Sequence, residues 1–313
     1  MAEIREIPVD YALPARKRRA FLADLFIRLV REKPLGAVGG VIVLLLLFTG
    51  IFSDLLAPYG FNESVGVYRG PPSAAYPLGT DHLGRDMLSR VIYGARISVT
   101  VGLTAGALSV LVSTLIGIFC GFLGGKFDLV VQRLVDAWMC FPGLVILIVL
   151  VSVIGPGMTG IIIVLGLQYG IAGSRVVRGA VIGIKGNIYI EAARATGCTT
   201  PRILVRHILP NIMAPLIILF TTRIPAIILA EASLSFLGYG IPPPAPSWGG
   251  MLSGPGRSNM LTAPWMGIWP GLALSIVVYG VNMFGDALRD LLDPRLRGGL
   301  GRYTGVKRKV KKA

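Results

Sequence analysis

The sequence predicts an all-α membrane protein with six transmembrane helices, and three observations lead there. Over its 313 residues the chain is 53% hydrophobic and only 15% charged, a balance that ordinary water-soluble domains do not keep. Its apolar residues gather into runs nearly free of charge, each close to the ~20 residues that a helix needs to cross a ~30 Å hydrocarbon core. Its basic residues gather between alternate runs, as they do in the cytoplasmic loops of spanning proteins.

The elements follow in order. Residues 1–34 form a basic segment in which Phe21, Leu25 and Leu29 recur among arginines and lysines, the pattern of an amphipathic helix at a membrane surface. The first span is LGAVGGVIVLLLLFTGIFSDLLA, residues 35–57. A cleavable leader fits it poorly, because the apolar part begins late, is too long, and SDLLAPYG offers no small-x-small cleavage site. An outer segment, 58–95, comes next. There Asp81 is expected to cap an amphipathic helix beginning HLGRDMLSRVIYGARIS, with Leu83, Met87, Leu88, Val91 and Ile92 at helical spacing. Arg85 and Asp86 are expected to hold the fold of that loop.

Five further spans are expected at 96–122, 134–154, 157–176, 211–236 and 266–286, within a core of 96–290. Pro142, Pro156 and several glycines in or beside the third and fourth imply helices that pack on one another rather than on lipid all round. Glu231 and Asp286 are expected near the ends of their spans, and Trp248, Trp265 and Trp269 as an interfacial belt. GIPPPAPSWGG reads as a stiff loop that cannot be helical. The closing segment 291–313, rich in lysine and arginine, suits an anchor near anionic headgroups better than a nucleic-acid arm.

Six spans put both ends of the chain on one side. Of the 31 lysines and arginines, eight precede the first span, two lie in 123–133, six in 175–206 and nine follow residue 288. Both ends are therefore expected in the cytoplasm.

Catalytic signatures are missing. The nearest approach to a phosphate loop, CGFLGGKFD, has Cys120 where the first glycine belongs and Phe127 where serine or threonine belongs. The three cysteines and two histidines have no spacing that suggests a disulfide framework or a metal site. A membrane enzyme lacks its convergent titratable groups, and a self-contained secondary transporter lacks its duplication and buried ion ligands. Any ATP would be hydrolysed on another chain.

One polar stretch, YIEAARATGCTTPRILVRHILPN at 189–211, stands between two apolar spans. Asn187 is placed to cap a short helix, Gly197 to supply a left-handed turn, and Thr200 with Pro201 to restart a second helix as N-cap and first residue. Ala192, Ala193 and Ala195 stand where a self-sufficient amphipathic helix would carry large apolar side chains. Glu191 and Arg194 offer charge-assisted bonds at its rim. An interfacial hairpin and a docking element fit these residues equally well.

EAARATG, nine residues and HILP resemble the coupling loop of the membrane subunits of ATP-binding cassette importers, with His207 where the general motif has isoleucine. PLGTDHLGRDMLSRVIYGARISVTVG at 77–102, EASLSFLGYGIPPPAPSWGGML at 231–252 and DALRDLLDPRLR at 286–297 resemble segments of the C-type permeases of dipeptide, oligopeptide and nickel importers.

The resemblance implies a type I ABC importer permease fold, with no catalytic residue, metal or cofactor on this chain and with ATP and magnesium on its partners. Its loop, 185–210 here, would couple to the ATPases through Glu191, Ala192, Ala193, Arg194, Gly197, Leu209 and Pro210. Ala192 and Ala193 would sit in an ATPase cleft, and Leu209 with Pro210 would end the second short helix. The implied partners are a homologous B-type permease, two cytoplasmic ATPases, an extracytoplasmic solute-binding protein and the bilayer, in the cell membrane. Peptides are the expected solute, with glutathione or a nickel chelate as alternatives. Arg223, mid-span, fits a hydrated route or an ion pair with Asp136, Glu231, Asp286 or the partner permease.

Overall fold

The computed structural model describes residues 21–292. The basic cluster before Phe21 and the tail after Leu292 lie outside the described residues. Helix α1 (Phe21–Glu32) leads into α2 (Pro34–Ile51), whose first residue is a proline that has no N–H to leave unsatisfied. A turn of helix, α3 (Ser53–Leu56), ends the first span. An irregular segment then reaches α4 (Met87–Leu123), followed by α5 (Gly125–Met139), α6 (Gly143–Ile154) and α7 (Met158–Ile184). The short helices α8 (Ile188–Ala195) and α9 (Thr200–Ile203) precede a π-helical turn, Leu204–Ile208, and a 3₁₀ turn, Leu209–Ile212. Helices α10 (Met213–Phe236), α11 (Trp248–Leu252), α12 (Gly254–Ser258) and α13 (Trp265–Leu292) complete the described chain.

Helices α2, α4, α7 and α13, with the run Thr200–Phe236, are long and apolar enough to cross a membrane. The sixth span exists only if α5 and α6 count as one, for they meet at 93°. The expected single helix over 134–154 is thus broken at Cys140–Pro142. Pro142 carries no N–H for the helical ladder and drives Phe141 out of helical conformation.

Two other boundaries differ from expectation. The predicted surface helix of the outer segment and the second span are one helix of 37 residues. It is capped by Asp86, whose Oδ2 accepts from the Ser89 N–H at 2.8 Å and the Ser89 hydroxyl at 2.7 Å, and not by Asp81. The second short helix does not stop at Leu209-Pro210: the π and 3₁₀ turns carry the chain on into α10. Proline tolerates this position because a 3₁₀ turn starts there and its missing N–H falls among those a helix start leaves unpaired.

The tightest packing joins α4 to α7. A β-carbon on Gly117 would lie 2.7 Å from the Ser174 carbonyl oxygen and 2.6 Å from the Val177 Cβ. The Ser113 hydroxyl donates to the Gly170 carbonyl at 2.8 Å. Backbones this close are what small residues provide where lipid gives helices no hydrophobic reason to associate. Asp128 and Asp136 on α5 pair with Arg178 and Arg175 on α7, and the Asp128 bonds measure 2.6 and 2.5 Å. The bent pair is thereby tied to the core.

The bundle has two distinct ends. At one, Ile118 and Phe122 of α4 and Val181 of α7 meet Ile190, Ile203 and Ile208 in a buried cluster. Helix α2 begins at the same end, since its Gly50 meets Ala95 and Val99 near the other end of α4. There Leu29 of α1 packs on Ala287 and Leu291 of α13, and Lys33 bonds Asp290 at 2.5 Å. At the opposite end Met87, Ala263 and Met266 form a small core under the loops 57–86 and 237–264.

Candidate functional site

The α8 hairpin is built by local rules. Asn187 holds the extended conformation of an N-cap residue, although its side chain makes no capping bond. Gly197 has φ +79°. Its N–H donates to the Arg194 carbonyl at 2.9 Å and that of Cys198 to the Ala193 carbonyl at 3.0 Å, the pair of bonds that defines a Schellman motif. The next helix is capped one residue earlier than expected, with Thr199 as N-cap, Thr200 first and Pro201 second. A Pro one place further in still lies in the first turn, where no acceptor needs its N–H.

Burial divides α8 into two faces. Ile190 is fully buried and Ala193 nearly so, both in the cluster with Phe122 and Val181. Ile188 is 84% exposed, and Tyr189, Glu191, Ala192 and Arg194 are exposed with it. Of the two alanines, then, Ala192 presents its side chain outward while Ala193 fills this chain's own core. The Arg194 guanidinium lies 5.0 Å from the Phe122 ring centroid, a cation–π contact that ties α8 to the end of α4. Leu209 packs partly buried against the same cluster, while Pro210 is exposed.

Arg223 lies in α10 with its guanidinium 5.6 Å from the Tyr169 ring centroid on α7. It makes no ion pair among the described residues. Asp136 is taken by Arg175 and Arg133, and Asp286 is exposed. Glu231 is only 1% exposed and bonds the Ser235 hydroxyl at 2.7 Å. It lies near the end of α10, as expected, but is buried there rather than facing a membrane interface.

The outer loops carry a second polar cluster. Asp81 accepts from the N–H groups of Leu83 and Arg85 at 2.8 and 2.9 Å and from Arg85 Nε at 2.7 Å. Arg90 approaches it at 3.5 Å and donates to the Phe61 carbonyl at 2.9 Å. All three side chains are buried. Arg85 and Asp86 do hold this loop, one through Asp81 and the other through the α4 cap. Burial pushes the His82 imidazole below its ordinary value, against the opposing charge of Asp81.

Two of the three tryptophans expected in a lipid belt, Trp248 and Trp265, belong instead to the same construction, while the Nε1 of Trp269 is buried without a partner among the described residues. Trp248 is buried and donates from Nε1 to the Val91 carbonyl at 3.0 Å, and Trp265 donates to the Thr80 carbonyl at 3.1 Å. The PPPAP stretch is irregular, but Ser247 caps α11 immediately after it through the Gly250 N–H at 3.1 Å. The sequence reading missed Phe122, Tyr169 and Arg90. Only Arg90 had a local signal, an aspartate and two arginines clustered around a Gly84 turn.

A bundle of spans with one short helix held at its end, one face in the core and one bare, is the architecture of a membrane transport component that works with other subunits. Residues 113–298 match the family of binding-protein-dependent transport system inner membrane components, and the chain belongs to that family. It is 40% identical over 259 residues, covering 81% of this chain and 87% of the relative, to a Brucella suis protein named as a peptide transport system permease. It is 37% identical over 274 residues, covering 87% and 91%, to the glutathione transport system permease of Pectobacterium atrosepticum. The MetNI methionine ABC transporter in an inward-facing conformation superposes at TM-score 0.53 and 18% identity, over 66% of this chain and 98% of that one. That likeness supports the type I importer fold.

Proposed function

We propose that this chain is a permease subunit of an ATP-binding cassette importer for peptides, forming half of the translocation pathway. Family membership and the peptide and glutathione permeases among its relatives support this reading. The observation that carries the coupling is the bare face of α8, where Ile188, Glu191, Ala192 and Arg194 stand exposed while Ile190 and Ala193 anchor the helix. Ile188, 84% exposed beside small and charged neighbours, gives that face an apolar contact for a partner's groove to cover.

In this reading two cytoplasmic ATPases, which carry ATP and magnesium, receive α8 and its counterpart on a homologous B-type permease. Closing the ATPase pair moves the two coupling helices together and switches the spans between two packings. Ala192 is the contact where size matters, Glu191 and Arg194 bond at the rim, and Gly197 sets the turn. Leu209 and Pro210 keep α9 continuous with α10. An extracytoplasmic binding protein delivers the solute at the other end of the bundle, and Arg223 faces the pathway beside Tyr169. Both chain ends lie in the cytoplasm and the bundle sits in the cell membrane. Glutathione is the second solute, favoured by the permeases of that name among the relatives.

The test is co-purification from native membranes with the wild-type chain and with Ala192→Arg, which overfills the exposed face without touching the core. Phosphate-loop ATPases and a second permease accompany the wild type, and the ATPases are lost from the variant at unchanged yield. A chain that purifies alone, or ATPases indifferent to the change, defeats the coupling assignment.

A further inference from the structure

We propose that the outer cavity of this chain binds a small carboxylate, held by Arg90 beside Arg85, with the ring of His82 in the cavity wall. The cavity has a volume of about 400 Å³, within the roughly 300–1,000 Å³ of small-molecule sites. Its charged side is formed by Asp81, Arg85 and Arg90 with His82 beside them, and its apolar side includes Pro242, Pro243, Met251 and Met266.

The charges do not balance inside it. Asp81 is the one carboxylate that both arginines share, and Arg85 occupies it with the shorter bonds, 2.7 Å from each of two nitrogens. Arg90 is 7% exposed. Its Nε lies 3.5 Å from Asp81 and its Nη1 serves the Phe61 and Pro244 carbonyls at 2.9 and 3.5 Å, so its other terminal nitrogen has no partner among the described residues. Asp86 is turned to the start of α4, and Glu231 to Ser235 beneath the cavity. Neither forms an ion pair with these arginines.

A positive charge removed from water without a full counter-charge is costly. A carboxylate entering from outside offsets it by accepting from the free guanidinium nitrogen, in the charge-assisted geometry that arginine favours. His82 lines the same cavity, and its Nδ1, buried without a partner among the described residues, gains one if the ring turns toward the ligand. The prolines and methionines then cover the apolar part of the ligand, so the class is a short, largely apolar carboxylic acid such as a free peptide C-terminus. The choice of a peptide as probe rests on the function proposed above. The site itself does not, since it lies within one chain and at the opposite end from α8.

The test uses the full chain in lipid nanodiscs with isotope-labelled histidine rings. The sequence has two histidines, and His207→Gln assigns them. Dialanine is expected to shift the His82 ring signals saturably and leave His207 unmoved, with dialanine amide at least about tenfold weaker because it lacks the charge. Arg90→Lys, which keeps the charge but loses the planar fork, weakens dialanine about tenfold. No His82 shift at millimolar dialanine, or equal binding of acid and amide, overturns the site whether or not Arg90→Lys folds. A shift produced only by the solute-binding protein also overturns it, because the cavity then takes a protein side chain. No ATPase enters the experiment, so loss of the coupling assignment leaves the result standing.

Discussion

At the residue scale, His82 gives a pH dependence whose sign is fixed by its surroundings. Burial is the largest influence on the ring and lowers its pKa from 6.5, with the charge of Asp81 opposing and those of Arg85, Arg90 and Arg69 adding to the shift. The unfolded chain therefore binds the proton more readily than the folded one. Stability of the outer loops is fully present above about pH 6.5 and is lost as pH falls from there through the lower folded value. Thermal unfolding followed against pH should show this decline in the wild type and a flatter profile in His82→Gln; parallel profiles would remove His82 as the cause. Single residues in the α8 loop were legible because Gly197 and the alanines obey local rules. That Ala193 faces inward was not, since a helix of eight residues shows its buried face only once Phe122 and Val181 are in place.

Helix against helix, the α4–α7 contact is the element most sensitive to size. Gly117→Ala puts a β-carbon inside van der Waals distance of a backbone oxygen, and neither helix has a flexible side chain there to yield. We expect a loss of about 1–3 kcal/mol, the usual range for an overpacked core, read as a lower midpoint in detergent unfolding. Gly179→Ala on α7, where nothing lies within 4 Å, is the matched control and should be neutral or slightly stabilising; equal losses would refute the close contact. Composition announced the spans, but it did not announce that Pro142 bends one of them by 93° or that α4 swallows the predicted surface helix. Hydropathy reports how apolar a run is, whereas a bend depends on what holds each half, here Arg175 and Arg178 for α5 and the packing of Leu147 and Val151 on Ile161 and Val164 for α6.

For the molecule as a whole, the loops gathered at the two ends should meet different solutions. In a chain whose three cysteines are replaced by serine, Arg257→Cys should react with an impermeant maleimide in intact spheroplasts and Arg194→Cys only after permeabilisation. The reverse pattern would invert the orientation drawn from the basic residues. The count of spans was readable from the sequence because crossing a bilayer demands a minimum length. The cavity beneath the outer loops was not, because Asp81, Arg85 and Arg90 meet Pro242, Pro243, Met251 and Met266 only when segments far apart in the chain fold together.

Helix α4 begins beneath the outer cavity, where Arg90 sits one turn in from its cap, and ends against Arg194 at Phe122. With 37 residues at 1.5 Å each it is about 55 Å long. It is held along that length: Ser113 against Gly170, Gly117 against Val177 and Gly121 against Val181 toward the α8 end, and Val91 by Trp248 toward the cavity. A helix gripped at both ends should shift as one body, so that a displacement of α8 and a change in the loops at the far side act on the same strut.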